Sequence, residues 1–229
     1  MLASVSRVTN ALVDLEREID APGAGLDRLC LVPIPFVPEV RLHLAEDPIV
    51  WWARMEAHAG RALPPPYWAS VWAGGQALAR HLLDHPELVA GRRVLDLATG
   101  SGLVGIAAAL AGAAVVANDV DPYAVAAVTV NARVNRVAVR ATGQDLLDTA
   151  PTPVDLLVAG DVLYDAGMAA RVLPFLRRAA TAGAEVLVGD PGRGHRPPDG
   201  LVVVADYLVP ITEPSPGPPV RRVQVLRPG

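Results

Sequence analysis

The sequence predicts an α/β fold: a seven-strand sheet, mostly parallel, with helices on both faces and an antiparallel hairpin at its C-terminal edge. Three observations carry this. Between residues 93 and 189, short apolar runs of strand length alternate with segments of helical period, the pattern of a parallel sheet covered on both sides. A glycine turn, Ala98-Thr99-Gly100-Ser101-Gly102, joins the first of these runs to an apolar helix, as in Rossmann-like folds. Two further strand-like runs, 201–209 and 220–226, follow without a helix between them, so they are expected to pair as a reversed edge.

Residues 5–19 place Val8, Leu12 and Leu15 among charges, which predicts an amphipathic helix ended by Pro22 and the glycines after it. Residues 31–50 are punctuated by proline, and the alternation around Val40-Arg41-Leu42-His43-Leu44 predicts a short strand or extended segment. Trp51 and Trp52 open a helix to His58, and Pro64-Pro65-Pro66 mark a break. Ala77, Leu78, Leu82 and Leu83 give 76–84 a helical face. Strands are then expected at 93–98, 114–119, 137–142, 154–159 and 184–189, with helices at 103–111, 122–135 and 167–181. The prolines of 210–219 suggest a stiff connection. Residues 1–66 are read as a helical and extended cap, and 67–229 as the main domain.

At 229 residues and 52% hydrophobic content the chain suffices for one sizeable core. A net charge of −4 argues against a general nucleic-acid or membrane-surface binder, which needs a basic field. Cys30 is the sole cysteine, excluding an intramolecular disulfide and fitting a reducing cytoplasm. No signal peptide is apparent, and no apolar run reaches the roughly 18 residues of a membrane span. A cytoplasmic monomer is expected. All twenty basic residues are arginine, so chemistry that needs a lysine of the protein itself is excluded.

Ligands of open α/β sheets bind beyond the carboxyl ends of the strands. There the sequence supplies Asp96, Asp119, Asp145, Asp161 and Asp190, one after each of the first five core strands. Gly100 and Gly102 let the backbone turn close to a ligand. Gly100-x-Gly102-x-x-Gly105 also satisfies a dinucleotide fingerprint, but a carboxylate at Asp96 would repel a pyrophosphate and suit a cationic amino group. S-adenosylmethionine offers such a cation and no phosphate. Asp96 can hold that cation and cap the turn as well. Asp119 is placed to accept from two ribose hydroxyls and Asp145 from the adenine amine, with loop capping as the other role of Asp145. Leu103, Val120 and Leu146 could sandwich the purine. Asp121-Pro122 reads as a helix cap.

Residues 92–190 resemble the seven-strand class I S-adenosylmethionine-dependent methyltransferases in the acid-ended first strand, glycine turn, second acid and Asp161-x-x-Tyr164. More narrowly, Pro66-Tyr67-Trp68-Ala69, the segment 72–78, Asn118-Asp119-Val120-Asp121-Pro122, Gly160-Asp161-Val162-Leu163-Tyr164 and Gly189-Asp190-Pro191-Gly192-Arg193 are similar to the electron-transfer-flavoprotein β-subunit lysine methyltransferases, as are Pro38–Leu44 and Trp51-Trp52. The resemblance implies that Asp161 and Tyr164 border the substrate lysine and that Trp72 lines the cofactor site, with Ala98 and Gly160 beside it. It implies a protein partner, the flavoprotein subunit or a ribosomal protein. Ala98 departs from the family, which has glycine there, and is tolerable if its φ stays negative.

Methyl transfer needs a neutral nitrogen about 3 Å from the methyl, with no covalent catalyst. Asp161 is expected to hold and orient the ammonium, and Tyr164 with Tyr67 or Trp68 to wall the aliphatic stem. Tyr164 could instead simply pack, Trp51, Trp52 and Trp68 could be core anchors, and Arg193 could either grip an acidic substrate surface or cap the fifth strand. His43, His58, His81, His85 and His195 show no metal-ligand spacing, so no metal is assigned. Three other functions remain open: methylation of a small amine, nicotinamide-dependent oxidoreduction, and cofactor binding without transfer.

Overall fold

A computed structural model describes residues 2–20, 25–210 and 220–229. The Pro22 stop and the proline-rich connection at 211–219 lie outside the described residues. Helix α1 (Leu2–Asp20) leads to an antiparallel hairpin, β1 (Leu29–Ile34) and β2 (Val37–Ala45), then α2 (Pro48–Ala59) and α3 (Ala73–Asp84). The core follows as β3 (Arg93–Leu97), α4 (Leu103–Leu110), β4 (Ala114–Asn118), α5 (Pro122–Val134), β5 (Val139–Thr142), β6 (Leu156–Gly160), α6 (Ala166–Thr181) and β7 (Glu185–Asp190). Strands β8 (Leu201–Pro210) and β9 (Val220–Pro228) complete it.

The seven-strand sheet has the order β5-β4-β3-β6-β7-β9-β8. Strands β3 to β7 run parallel, and β9 returns antiparallel to both β7 and β8, the reversed edge expected of two strands without a helix between them. The order reverses between β3 and β6, which opens a crevice at their carboxyl ends. Alternate residues feed two cores. Leu95, Leu97, Leu157, Ala159, Val186 and Val188 face α6, while Val94, Val115, Leu156, Val158 and Leu187 face α3 and α4. No helix among the described residues is long and apolar enough to cross a membrane.

Three elements depart from the sequence reading. The single strand expected near Val40–Leu44 is half of a two-stranded ribbon, in which Pro33 and Pro38 are accommodated because a two-stranded ribbon leaves each strand one open edge. Helix α2 begins at Pro48, because the Asp47 side chain accepts from the N–H groups of Ile49 and Val50. Helix α3 begins at Ala73 rather than Gln76, for a reason that lies in the candidate site.

Candidate active site

Asp96 is corrected first. The pleat turns its side chain under the start of α4, where it is 1% exposed and does not line the cavity. Its Oδ2 accepts from the Thr99 hydroxyl and from the Gly105 N–H at 2.8 Å, so it clamps the turn. Burial raises its pKa from 3.8 to about 7, against the lowering effect of those two bonds. Burial of this kind disfavours the anion on which the sequence argument rested. Gly102 is also off the cavity: at φ 88° it makes the turn, and a Cβ there would press on Val128. Ala98 lines the cavity, but its φ is +53°, so the condition of a negative φ fails and its backbone is strained.

Asp119 does reach the cavity. One carboxylate oxygen accepts from the Gly100 N–H and the other from the Asp121 N–H, both at 3.0 Å. Each oxygen keeps a lone pair for a further donor. Burial raises its pKa. Asp121 caps α5 through the Tyr123 N–H, and burial lifts it to about 6. Val120, 64% exposed, and Leu146 lie on the cavity wall, whereas Leu103 belongs to the core. Asp145 lines the wall, accepts from the Leu147 N–H and pairs with Arg171 at 2.9 Å, which lowers its pKa. Asn118 was missed by the sequence reading. Its side-chain amide donates to the carbonyls of Thr142 and Gln144, tying the end of β4 to the loop that carries Asp145. The Asn before Asp119 was the available signal.

At the other end, α3 crosses the sheet at glycines. A Cβ on Gly160 would lie 2.7 Å from the Gly75 Cα, and one on Gly74 or Gly189 would strike the other's backbone. This close approach puts the first N–H groups of α3 on Asp161, whose Oδ2 accepts from Gly74 and, at 3.3 Å, from Gly75. A cap supplied from 87 residues away thus lets two poor helix formers begin a helix. Asp161 is buried and itself has φ +54°. Burial raises its pKa, and Arg193 opposes that rise.

Aromatic rings share the cavity wall with this carboxylate. Tyr67 lies 5.9 Å from Trp72 and 6.4 Å from Tyr164, which is 46% exposed. The Trp72 indole N–H donates to the Tyr67 carbonyl at 2.8 Å, fixing the pair. Trp68 borders the cavity as well, but at 2% exposure it stacks on Tyr123 and meets Trp51 edge-on at 5.2 Å, so it is also a core anchor. Arg193 neither caps a strand nor stands free for an acidic surface, because it pairs with Asp161 at 3.3 Å over the Trp72 ring.

The resulting cavity holds about 750 Å³ and contains Asp119, Asp145, Asp161, Gly100, Tyr67, Trp72 and Tyr164 on its wall. Among the described residues its arginines, Arg171 and Arg193, are each paired with a carboxylate, so that wall carries acceptor capacity and no cation set aside for a phosphate. That suits a nucleoside with a positive charge.

Residues 78–173 match the family model of the ribosomal protein L11 methyltransferases. The chain is 40% identical over 181 residues to the electron transfer flavoprotein β subunit lysine methyltransferase of Rattus norvegicus, covering 76% of this chain and 70% of that protein. The chain belongs to this lysine methyltransferase family. The Homo sapiens member is 39% identical over 180 residues, covering 74% of this chain and 67% of that protein. Among solved structures, the magnesium protoporphyrin IX methyltransferase of Synechocystis with bound S-adenosylmethionine superimposes with a TM-score of 0.51 at 15% identity, over 80% of this chain and 83% of that one, a likeness of fold. As a class I S-adenosylmethionine-dependent methyltransferase, the family member is not the nicotinamide-dependent oxidoreductase that Gly100-x-Gly102-x-x-Gly105 left open.

Proposed function

We propose that the protein methylates a lysine side chain of a folded protein, with the β subunit of the electron transfer flavoprotein as its substrate. The observation that carries this reading is the division of the cavity into two chemically different ends. Of the residues on its wall, Asp119, Val120, Asp145 and Leu146 would form a nucleoside end, and Asp161 with Tyr67, Trp72 and Tyr164 an end suited to an alkylammonium. The flavoprotein relatives support the substrate, since their likeness covers about three-quarters of the chain, whereas the L11 model ends at residue 173, before β7 and Arg193.

Asp119 would hold the ribose hydroxyls on its free lone pairs, and Asp145 the adenine amine beside Val120 and Leu146. Ala98, Gly100 and Gly160 would present wall backbone to the cofactor, and Trp72 would border both the cofactor and the amine. The cofactor supplies an electrophilic methyl group on a sulfonium. Asp161 neutralises and orients the incoming ammonium, while Tyr67, Trp72 and Tyr164 cover its aliphatic stem and offer ring faces to the cation. The carboxylate favours the ammonium over the amine, so proton loss comes from burial and from the neighbouring positive charge, and Asp161 positions rather than acts as base. Residues 1–66 serve as a cap on the domain 67–229, with α1 held against α5 by the Tyr123 hydroxyl on Asp14 at 3.0 Å.

Incubating the enzyme and labelled cofactor with the recombinant flavoprotein β subunit tests this. Label on a lysine, located by peptide mass spectrometry, is the expected result. Label confined to small molecules of a supplemented lysate would contradict it.

A further inference from the structure

We propose that Arg193 is a built-in surrogate for the substrate ammonium: it occupies the cation position between Asp161 and Trp72 in the free enzyme, and the target lysine binds by exchanging with it. This rests on the lysine reading above and adds to it a competitor carried by the chain itself.

The geometry is that of a placeholder. A guanidinium normally grips a carboxylate with two parallel bonds. Arg193 makes one, from a terminal nitrogen to Oδ1 at 3.3 Å, because Oδ2 is committed to the start of α3. Its Nε is buried without an acceptor. Its guanidinium carbon sits 5.5 Å from the Trp72 ring centre, the position in which an aromatic face receives a cation. Gly192 and Gly194, at φ 74° and 89°, flank it, and space is open where a Cβ on either would stand. The residue is therefore held at its head by one long bond and flanked by two glycines with open space around them.

Arginine suits this task. A buried carboxylate needs a positive partner whether or not substrate is present, and a guanidinium supplies one permanently. The nitrogen lone pairs of a guanidinium are delocalised over the cation, so it is a poorer methyl acceptor than an amine. The rest of the chain contains no lysine, so no internal lysine competes as an acceptor.

Arg193→Lys tests the position directly. Incubated with S-adenosylmethionine alone, this variant should gain methyl mass at residue 193, its amine losing a proton to solvent and forming the N–C bond as the C–S bond breaks and the electron pair stays on sulfur. The wild-type chain, without lysine, should gain none. In parallel, Arg193→Gln should raise kcat/KM toward the flavoprotein β subunit about three- to tenfold through a lower KM, the gain from freeing a site occupied most of the time. An unmodified Arg193→Lys chain would overturn the proposal when the wild type methylates the flavoprotein subunit, as would an unchanged or higher KM in Arg193→Gln. Self-methylation of Arg193→Lys with no transfer to the flavoprotein subunit would uphold the surrogate and reject the substrate.

Discussion

The two ends of strand β6 carry the same pair of residues to opposite effect. At its start, Asp155 receives Arg93 through the Nε at 3.1 Å and a terminal nitrogen at 2.7 Å, with the Arg93 backbone N–H adding a third bond at 2.8 Å. Those bonds hold its carboxyl well below the usual carboxylate range. At its end, Asp161 is buried, burial pushes its pKa up, and Arg193 reaches it by one long bond. The exposed pair is complete. The buried pair keeps electrostatic demand in reserve, in a cavity, beside aromatic rings, which is how a binding site differs from a structural ion pair.

Exchanging each carboxylate for its amide breaks the comparison most severely. Asp161→Asn keeps an acceptor for the Gly74 N–H but removes the charge, and kcat/KM toward the lysine substrate should fall about 100- to 1,000-fold, on the order of 3–4 kcal/mol. Asp155→Asn should leave the same rate within about twofold. Equal losses in steady-state assays would erase the distinction.

A second contrast lies in pH. Asp96 is raised from 3.8 to about 7, so its contribution to stability is fully present below 3.8 and is lost as pH rises through the folded value near 7. Asp155, lowered, contributes stability above 3.8 that is lost as pH falls through its folded value. Thermal melts of the wild type should therefore show a declining Asp96 contribution across pH 4–7. Asp96→Asn should flatten that decline by on the order of a few kcal/mol. An unchanged slope would mean that Asp96 is ionised in the fold.

At the nucleoside end, Asp119→Ala should weaken S-adenosylhomocysteine binding about 10- to 100-fold, the loss of hydrogen bonds to a charged acceptor. Smaller still, Ala98→Gly should relieve the left-handed strain and stabilise the fold by up to about 1 kcal/mol, read as a rise in the denaturation midpoint. A lower midpoint would show that the Ala98 methyl packs better than its backbone suffers.

What the sequence made legible was local. Alternating apolar runs announced the sheet, Asp121-Pro122 its helix cap, and two helix-free strands the reversed edge. What it concealed depends on distance or direction. The start of α3 is capped by Asp161, far along the chain, and Gly74 and Gly75 read as a loop until Gly160 and Gly189 are seen beneath them. Asp96 and Asp119 look alike as acids after strands, yet the pleat sends one beneath a helix and the other into the cavity. Trp68 and Trp72, four residues apart, both border the cavity, yet Trp68 is almost wholly buried against Trp51 and Tyr123 whereas Trp72 meets Tyr67.

The central claim is that the two ends of this cavity are separable, one for the cofactor and one for the amine. Calorimetric titration of Asp161→Asn with S-adenosylhomocysteine tests it most directly. A Kd within about threefold of the wild type, in a variant that has lost transfer, is predicted. Weakening beyond about tenfold would make Asp161 a cofactor anchor and contradict the division.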